Sequence, residues 1–245
     1  MQKTDINYLD YTWNPTHGCS PVSDGCKNCW AYKMSIRLAG MGINGYDKTD
    51  PFKVVCMPDK LDEPLKVQKP SRVGTSFMGD LFHKDIPFWY IDKVIGVIGQ
   101  SPQHTFIILT KRHERMQEFF GYKPRVLPNI WLGVSVENQK TADERIPVLI
   151  DTAAAVQLVS VEPMLNLVDL TSWISELDWV ICGAESGHNK RPCEYDWVVD
   201  LLTQCQNSGV PFFYKQGLDN NGGWCKMPRL CGKIWNEFPN GSARW

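Results

Sequence analysis

The sequence predicts an α/β protein: an incomplete TIM-type (βα) barrel with parallel strands. Three observations carry that prediction. Short apolar runs that end in a polar or charged residue recur roughly every 25–30 residues, the length of one βα unit. These runs alternate with amphipathic stretches, as in a parallel sheet whose faces are both covered. No G-x-G-x-x-G follows any run and there is no P-loop, which argues against a dinucleotide-binding sheet. A chain of 245 residues, 43% of them hydrophobic, is long enough for one sizeable core.

The first strand is expected around 8–13. A cysteine-bearing run follows it, and 40–72, rich in Lys, Asp, Pro and Gly, reads as an inserted loop or lid. Strands are predicted at 73–80, 105–111, 130–137, 155–162, 179–185 and 211–216. Val-Ser-Val-Glu occurs twice among them, at 134–137 and 159–162. Between the strands, 87–100 has apolar residues at Phe88, Ile91, Val94, Ile95 and Ile98, a helical period. The segment 195–208 has Trp197, Val198, Leu201, Leu202 and Cys205, with Gly209 just past its end. Shorter helices are expected at 114–120 and 142–150. The tail 217–245 reads as an irregular closing segment of a single domain spanning 1–245.

In a βα barrel the active site lies at the C-terminal ends of the strands. Here those ends carry Asp80, Lys111, Glu137, Glu162, Glu185 and Lys215. Six charged residues closing six otherwise apolar strands predict a shared polar mouth. His83 follows the second strand end by three residues, as a proton donor, a substrate contact or a cap of the next turn. Lys111-Arg112-His113 and Lys190-Arg191 are short basic clusters that would suit phosphates or simply solvated surface.

The balance of 26 basic against 27 acidic residues excludes a global electrostatic drive toward nucleic acid or anionic membrane. No apolar stretch approaches the ~18 residues of a membrane span, so no membrane partner is expected. The polar start, Met1 to Asp5, lacks a signal peptide's apolar region, so a reducing cytoplasm is the expected setting. In that setting clustered cysteines bind metal more often than they pair. Cys56, Cys182 and Cys205 stand apart and read as small core residues. Ten tryptophans predict broad aromatic packing and stacking surfaces.

Cys19, Cys26 and Cys29 form C-x6-C-x2-C directly after the first strand. Three thiolates on one segment hold a metal centre and leave one coordination position open. Zinc is the common explanation, with His17, Cys225 or Cys231 as a fourth ligand. An iron–sulfur cluster on three cysteines is the competing one, with Trp30 next to Cys29 as a shield from water. A non-catalytic, zinc-stabilised binding protein therefore stands beside an enzyme at this point.

A three-cysteine loop after strand one of an incomplete barrel resembles the radical S-adenosylmethionine (SAM) superfamily, whose usual spacing is C-x3-C-x2-C followed by an aromatic residue. This chain keeps the C-x2-C and the aromatic but has six residues between the first two cysteines. Almost the whole chain resembles a family of small bacteriophage and prophage proteins regarded as radical-SAM-like. The resemblance rests on Thr12-Trp13-Asn14-Pro15, the run from Gly18 to Ala31, Met78-Gly79-Asp80-Leu81-Phe82-His83, Leu109-Thr110-Lys111-Arg112 and Gly133-Val134-Ser135-Val136-Glu137-Asn138. It extends to Ala142-Asp143-Glu144-Arg145, Ser160-Val161-Glu162-Pro163, Gly183-Ala184-Glu185-Ser186-Gly187 and 211–216. Some phage members are associated with hypermodification of thymine in viral DNA, where a glycine-derived substituent is isomerised from nitrogen to α-carbon attachment.

The resemblance implies a [4Fe-4S] cluster on Cys19, Cys26 and Cys29, and S-adenosyl-L-methionine on the remaining iron. Electron transfer then cleaves the SAM sulfonium, and the resulting radical takes a hydrogen atom from substrate. Gly79 and Asp80 would meet the SAM ammonium, and Ser135 and Glu137 the ribose hydroxyls. Glu162, Glu185, Lys215 and His83 would serve the substrate. The implied partners are DNA carrying a modified thymine base, which would be flipped out to reach the site, and a reducing electron donor. Another radical SAM reaction on nucleic acid, such as a repair lyase, is the nearest alternative. No pattern in the chain fixes an oligomeric state.

Overall fold

The computed structural model describes residues 1–124 and 126–239. Seven parallel strands run in sequential order: β1 (Tyr11–Trp13), β2 (Arg72–Thr75), β3 (Thr105–Thr110), β4 (Ile130–Val136), β5 (Val156–Val161), β6 (Trp179–Gly183) and β7 (Phe212–Leu218). Antiparallel strands Gln2–Lys3 and Trp224–Lys226 extend the two edges, on β1 and β7 respectively. The resulting nine-stranded sheet has no reversal of strand order among the described residues. Single winding without a switch point is the topology of a barrel, and the two edge strands do not pair with one another, so the barrel is incomplete.

The helices are α1 (Trp30–Gly40), α2 (Phe88–Gly99), α3 (His113–Tyr122), α4 (Gln139–Ile150) and α5 (Tyr195–Ser208). A single 3₁₀ turn, Ile174–Glu176, stands between β5 and β6. Asn138 caps α4 by accepting from Thr141 N–H at 3.0 Å, and Thr141 Oγ1 returns the favour to Asn138 N–H at 3.2 Å. Gly209 ends α5 with φ of 68°, a left-handed conformation that a side chain would strain.

The strands alternate between two cores, as the period-two geometry of a strand requires. Phe106, Ile108, Ile130, Leu132, Val159, Val161, Val180, Cys182, Phe212 and Tyr214 face the outer helices. Ile107, Trp131, Leu158, Trp179, Ile181 and Phe213 point inward and pack with Tyr8 and Leu9. Trp179 is the hub of the inner cluster. Its ring centroid lies 5.7 Å from Tyr8, 5.6 Å from Trp131, 5.9 Å from Phe213 and 5.2 Å from Phe238. Its indole N–H donates to Glu237 O at 2.8 Å, so the aromatic plug is tied to the C-terminal segment. The inner face is therefore filled toward the N-terminal ends of the strands, which leaves the chemistry to the C-terminal ends.

Several local expectations change. A helix at Trp30–Gly40 was not foreseen. The stretch 40–72 contains a short strand, Val55–Cys56, paired antiparallel to Thr16–His17, and 3₁₀ turns at Pro58–Lys60 and Pro64–Lys66. The tail contains a hairpin, Arg229–Leu230 with Lys233–Ile234, besides its edge strand; its last residues, 240–245, lie outside the described residues. No helix of the described residues is long and apolar enough to cross a membrane.

Candidate metal centre at the barrel mouth

The cysteine loop leaves β1 through a tight clamp of backbone. Gly18 has φ of 82°, and a β-carbon there would lie 2.0 Å from Lys53 O. Its N–H donates to Met78 O at 3.0 Å, and it bridges in parallel to Gly79. A β-carbon on Gly79 would in turn lie 2.5 Å from Gly18 O. Two glycines thus allow three backbone segments to meet beneath Cys19, whose own N–H donates to Phe52 O at 3.2 Å. Beyond it, Asp24–Cys26 makes one 3₁₀ turn and Cys29 sits at the N-cap of α1.

All three thiols are free and half-buried. Val22 N–H points at Cys26 Sγ from 3.5 Å, and the Arg112 guanidinium at Cys19 Sγ from 3.7 Å. Burial, reinforced by Asp80, pushes the Cys19 thiol up to about 11 despite Arg112. A bound metal would reverse that by taking the thiolate outright. Among the described residues no three Cys, His, Asp or Glu side chains converge on one point. The donor set fits an iron–sulfur centre on three thiolates, with backbone and guanidinium N–H groups aimed at two of them. The His17 ring is buried and stacked on Tyr46 at 4.4 Å. Cys225 pairs with Gly217 in the edge strand and Cys231 N–H donates to the Tyr195 hydroxyl.

Two strand-end carboxylates hold the loop from below. Glu137, fully buried at the end of β4, accepts from Ser23 Oγ at 2.7 Å and from Arg145 at 3.2 Å, and pairs closely with Lys111. Burial opposes its charge, but Lys111 and Arg145 outweigh burial and hold its carboxyl below the usual range. Glu185, at the end of β6, accepts from Asn28 Nδ2 at 2.9 Å and Arg191 N–H at 2.8 Å, and closes a tight pair with the Arg191 guanidinium. Arg191 also reaches Asp24 O at 2.8 Å. Here too burial is overcome, by Arg191 and Asn28, and the carboxyl titrates low.

This arrangement alters three expectations. Glu137 was expected at the ribose hydroxyls, but it has no exposed surface and its carboxylate is committed to the loop and two cations. Lys111 and Arg191, read as phosphate-binding candidates, are engaged with Glu137 and Glu185. Trp30, expected to shield the loop from water, is itself 43% exposed.

Asp80 and His83 support the other flank. Asp80 accepts from Thr110 Oγ1 at 2.7 Å, Phe82 N–H at 2.9 Å and Lys111 N–H at 3.2 Å, which joins the ends of β2 and β3. His83 is buried rather than a surface cap. Its Nδ1 accepts from Asp85 N–H at 3.2 Å, which leaves Nε2–H to donate to Ser20 Oγ at 2.8 Å. Burial, aided by Arg112, lowers its pKa and favours this neutral tautomer. Arg112 itself donates to Ser20 O at 2.9 Å and Ser20 Oγ at 3.0 Å.

One charged pair at the mouth does not hold the loop. Lys215 Nζ lies 2.8 Å from Glu162 Oε1, and Ser160 Oγ donates to Glu162 Oε2 at 3.0 Å. Both charged side chains keep some exposure, 19% and 14%. A β-carbon on Gly183 would lie 2.5 Å from Glu162 Oε1, so that glycine makes room for the carboxylate. The Lys215 ammonium is 6.0 Å from the Tyr8 ring centroid. The pair therefore stands above the aromatic plug. Ser135, opposite Ser160 in the β4–β5 register, is half-buried.

The family model described as "Protein of unknown function (DUF5131)" matches residues 3–239. The chain belongs to this family. No curated protein sequence matches it. Among solved structures, a spore photoproduct lyase mutant with bound AdoMet and dinucleoside spore photoproduct has a TM-score of 0.51 at 11% identity, covering 95% of this chain and 69% of that one. A second mutant of the same lyase gives 0.51 at 10% identity, over 84% of this chain and 75% of that one. A third gives 0.48, and there this DUF5131 chain spans 58% of the other's length. At such identities the likeness is one of fold: the DUF5131 protein has the incomplete barrel of these lyase structures.

Proposed function

We propose that this protein is a radical SAM enzyme that modifies a nucleobase. In its finer form the reading is isomerisation of N-alpha-glycinylthymidine to C-alpha-glycinylthymidine in thymidine hypermodification. The observation that carries the reading is the division of the mouth. A loop of three free thiols is held by Glu137 and Glu185 through Ser23 and Asn28, while Glu162 is paired instead with Lys215 and Ser160.

The chain's own residues then have distinct tasks. Cys19, Cys26 and Cys29 hold the cluster. Gly79 and Asp80, which lie beside Gly18 and Arg112, are assigned to the methionine end of SAM. Ser135 offers its hydroxyl to the ribose. Glu137 and Glu185 position the loop, and His83 orients Ser20 and so the turn after Cys19. Lys215 and Glu162 present an ammonium and a carboxylate to the polar edges of a base. When bound, the cluster and SAM supply a carbon-centred radical for hydrogen abstraction; the protein orients the reactants and excludes water.

A repair lyase is the second reading, favoured by the shared fold with a lyase that binds a dinucleoside photoproduct. Mass spectrometry separates the two. Reconstituted, reduced protein is incubated with SAM and DNA carrying the glycine-substituted thymine, or with DNA carrying thymine photodimers. A nucleoside of unchanged mass and new retention supports the isomerase, and restored thymidine supports the lyase. Reductive SAM cleavage with neither substrate changed would remove both assignments.

A further inference from the structure

Helix α1 belongs to neither core cluster: no residue of Trp30–Gly40 appears in the outer or the inner set. Its fully buried residues are the small stripe Ala31, Ser35 and Ala39, with Met34 and Leu38 half-buried beside them, and the Tyr32 ring meets Phe52 edge-on at 5.6 Å. The rest of its surface is unusual for a soluble helix, because large apolar side chains are turned outward. Trp30 is 43% exposed, Tyr32 49% and Ile36 46%. Interleaved with them are the exposed cations Lys33 and Arg37. Between Asp24 and Asp47 the chain carries Lys27, Lys33 and Arg37 and no acidic residue, in a protein whose net charge is −1.

The position of this face matters as much as its composition. Cys29 is the N-cap of α1, so the exposed face begins at the metal loop. Lys33 Nζ lies 3.7 Å from where a side chain on Gly187 would start, which places it beside the segment that follows β6. Asn28 ties the same loop to Asn189 O at 2.9 Å. Across that segment, Lys190 Nζ stands 5.2 Å from the Trp224 ring centroid, a second cation-and-indole pair on the rim.

From this we infer that the outward face of α1 is the docking surface for a single strand of nucleic acid, with Trp30 and Tyr32 stacking bases and Lys33 and Arg37 meeting phosphates. Local positive charge complements a polyanion, and flat exposed rings suit bases of any identity. A strand held there leads a base from the rim over the cysteine loop toward Glu162 and Lys215. The inference rests on the nucleobase reading above and adds where the polymer is gripped.

Fluorescence anisotropy of the full chain with a labelled oligothymidylate, and with a duplex of the same length, tests it. Tyr32→Ala is expected to weaken single-strand binding about tenfold or more. The Lys33→Glu/Arg37→Glu double variant is expected to flatten the log–log salt slope by about 1.4, two phosphate contacts' worth for a single strand. Far-UV circular dichroism melts confirm that each variant is folded, and Arg37→Lys is expected to restore most of the affinity lost in Arg37→Glu. Unchanged affinity in every folded variant, with wild type binding the strand, would place the grip elsewhere and leave the nucleobase reading standing. Absence of any oligonucleotide binding by wild type would contradict the nucleobase reading itself. Equal losses on strand and duplex, or a change of oligomeric state in the variants, would overturn the single-strand assignment.

Discussion

Gly25 of the cysteine loop lies against the carboxylate of Glu137, 112 residues further along the chain: a β-carbon at residue 25 would stand 2.4 Å from Glu137 Cγ and 2.5 Å from Oε1. Neither partner yields easily. Glu137 is fully buried and held by Ser23, Lys111 and Arg145. Gly25 lies in the 3₁₀ turn that presents Cys26. Gly25→Ala is therefore expected to lift the turn. Overpacking of this kind costs about 1–3 kcal/mol. Anaerobic reconstitution followed by iron assay should show reduced cluster content in a protein that still melts cooperatively.

Glu137→Gln keeps the shape of the side chain and removes its charge. Arg145, 4% exposed at its side chain, and Lys111 would then face one another without a counter-charge. Removing one partner of a buried ion pair costs about 3–5 kcal/mol. Urea denaturation should show a loss of that size. Arg145→Met with Glu137→Gln should recover part of it, because the stranded guanidinium is gone.

The loop should also be acid-labile. Glu137 and Glu185 both titrate below the ordinary glutamate value in the folded protein, after cations outweigh burial. Unfolded, each takes up its proton near pH ~4.3. Their contribution to stability is therefore complete above that value and disappears as pH falls through the lower folded values. Cluster retention, followed by absorbance from pH 6 downward, should hold to about pH 4.5 and then fail; Glu185→Gln should retain less cluster at neutral pH and show a shallower acid transition.

The Glu162–Lys215 pair should separate substrate turnover from SAM cleavage. Neither residue holds the loop, so Lys215→Met and Glu162→Gln should load iron normally and cleave SAM reductively. Nucleobase conversion should fall by about 10²-fold or more. Gly183→Ala should give a milder version, since its β-carbon would displace Glu162 Oε1.

The barrel was legible because its strands are mostly apolar runs ended by charge: all seven lie where expected, the second ending at Thr75 rather than at 80. The polar mouth was legible for the same reason. What those charges do was not. Glu137 meets Ser23 across 114 residues and Glu185 meets Asn28 across 157, pairings that no local pattern encodes. Arg145 lay on an amphipathic stretch with no local mark of its role. Helix α1 was missed because its buried stripe is Ala, Ser and Ala, while Trp30, Tyr32 and Ile36 are exposed. That inversion defeats a search for an apolar helical face.

The central claim is that Cys19, Cys26 and Cys29 hold a [4Fe-4S] cluster that cleaves SAM. Its most direct test is anaerobic reconstitution with iron and sulfide, read by metal assay, absorbance and production of 5′-deoxyadenosine under reduction, for wild type and Cys26→Ala. The account predicts a brown protein with about four irons per chain and absorbance near ~400 nm, with cleavage abolished in a folded Cys26→Ala variant. A colourless protein that keeps stoichiometric zinc through reconstitution, or a variant that still cleaves SAM, would contradict it.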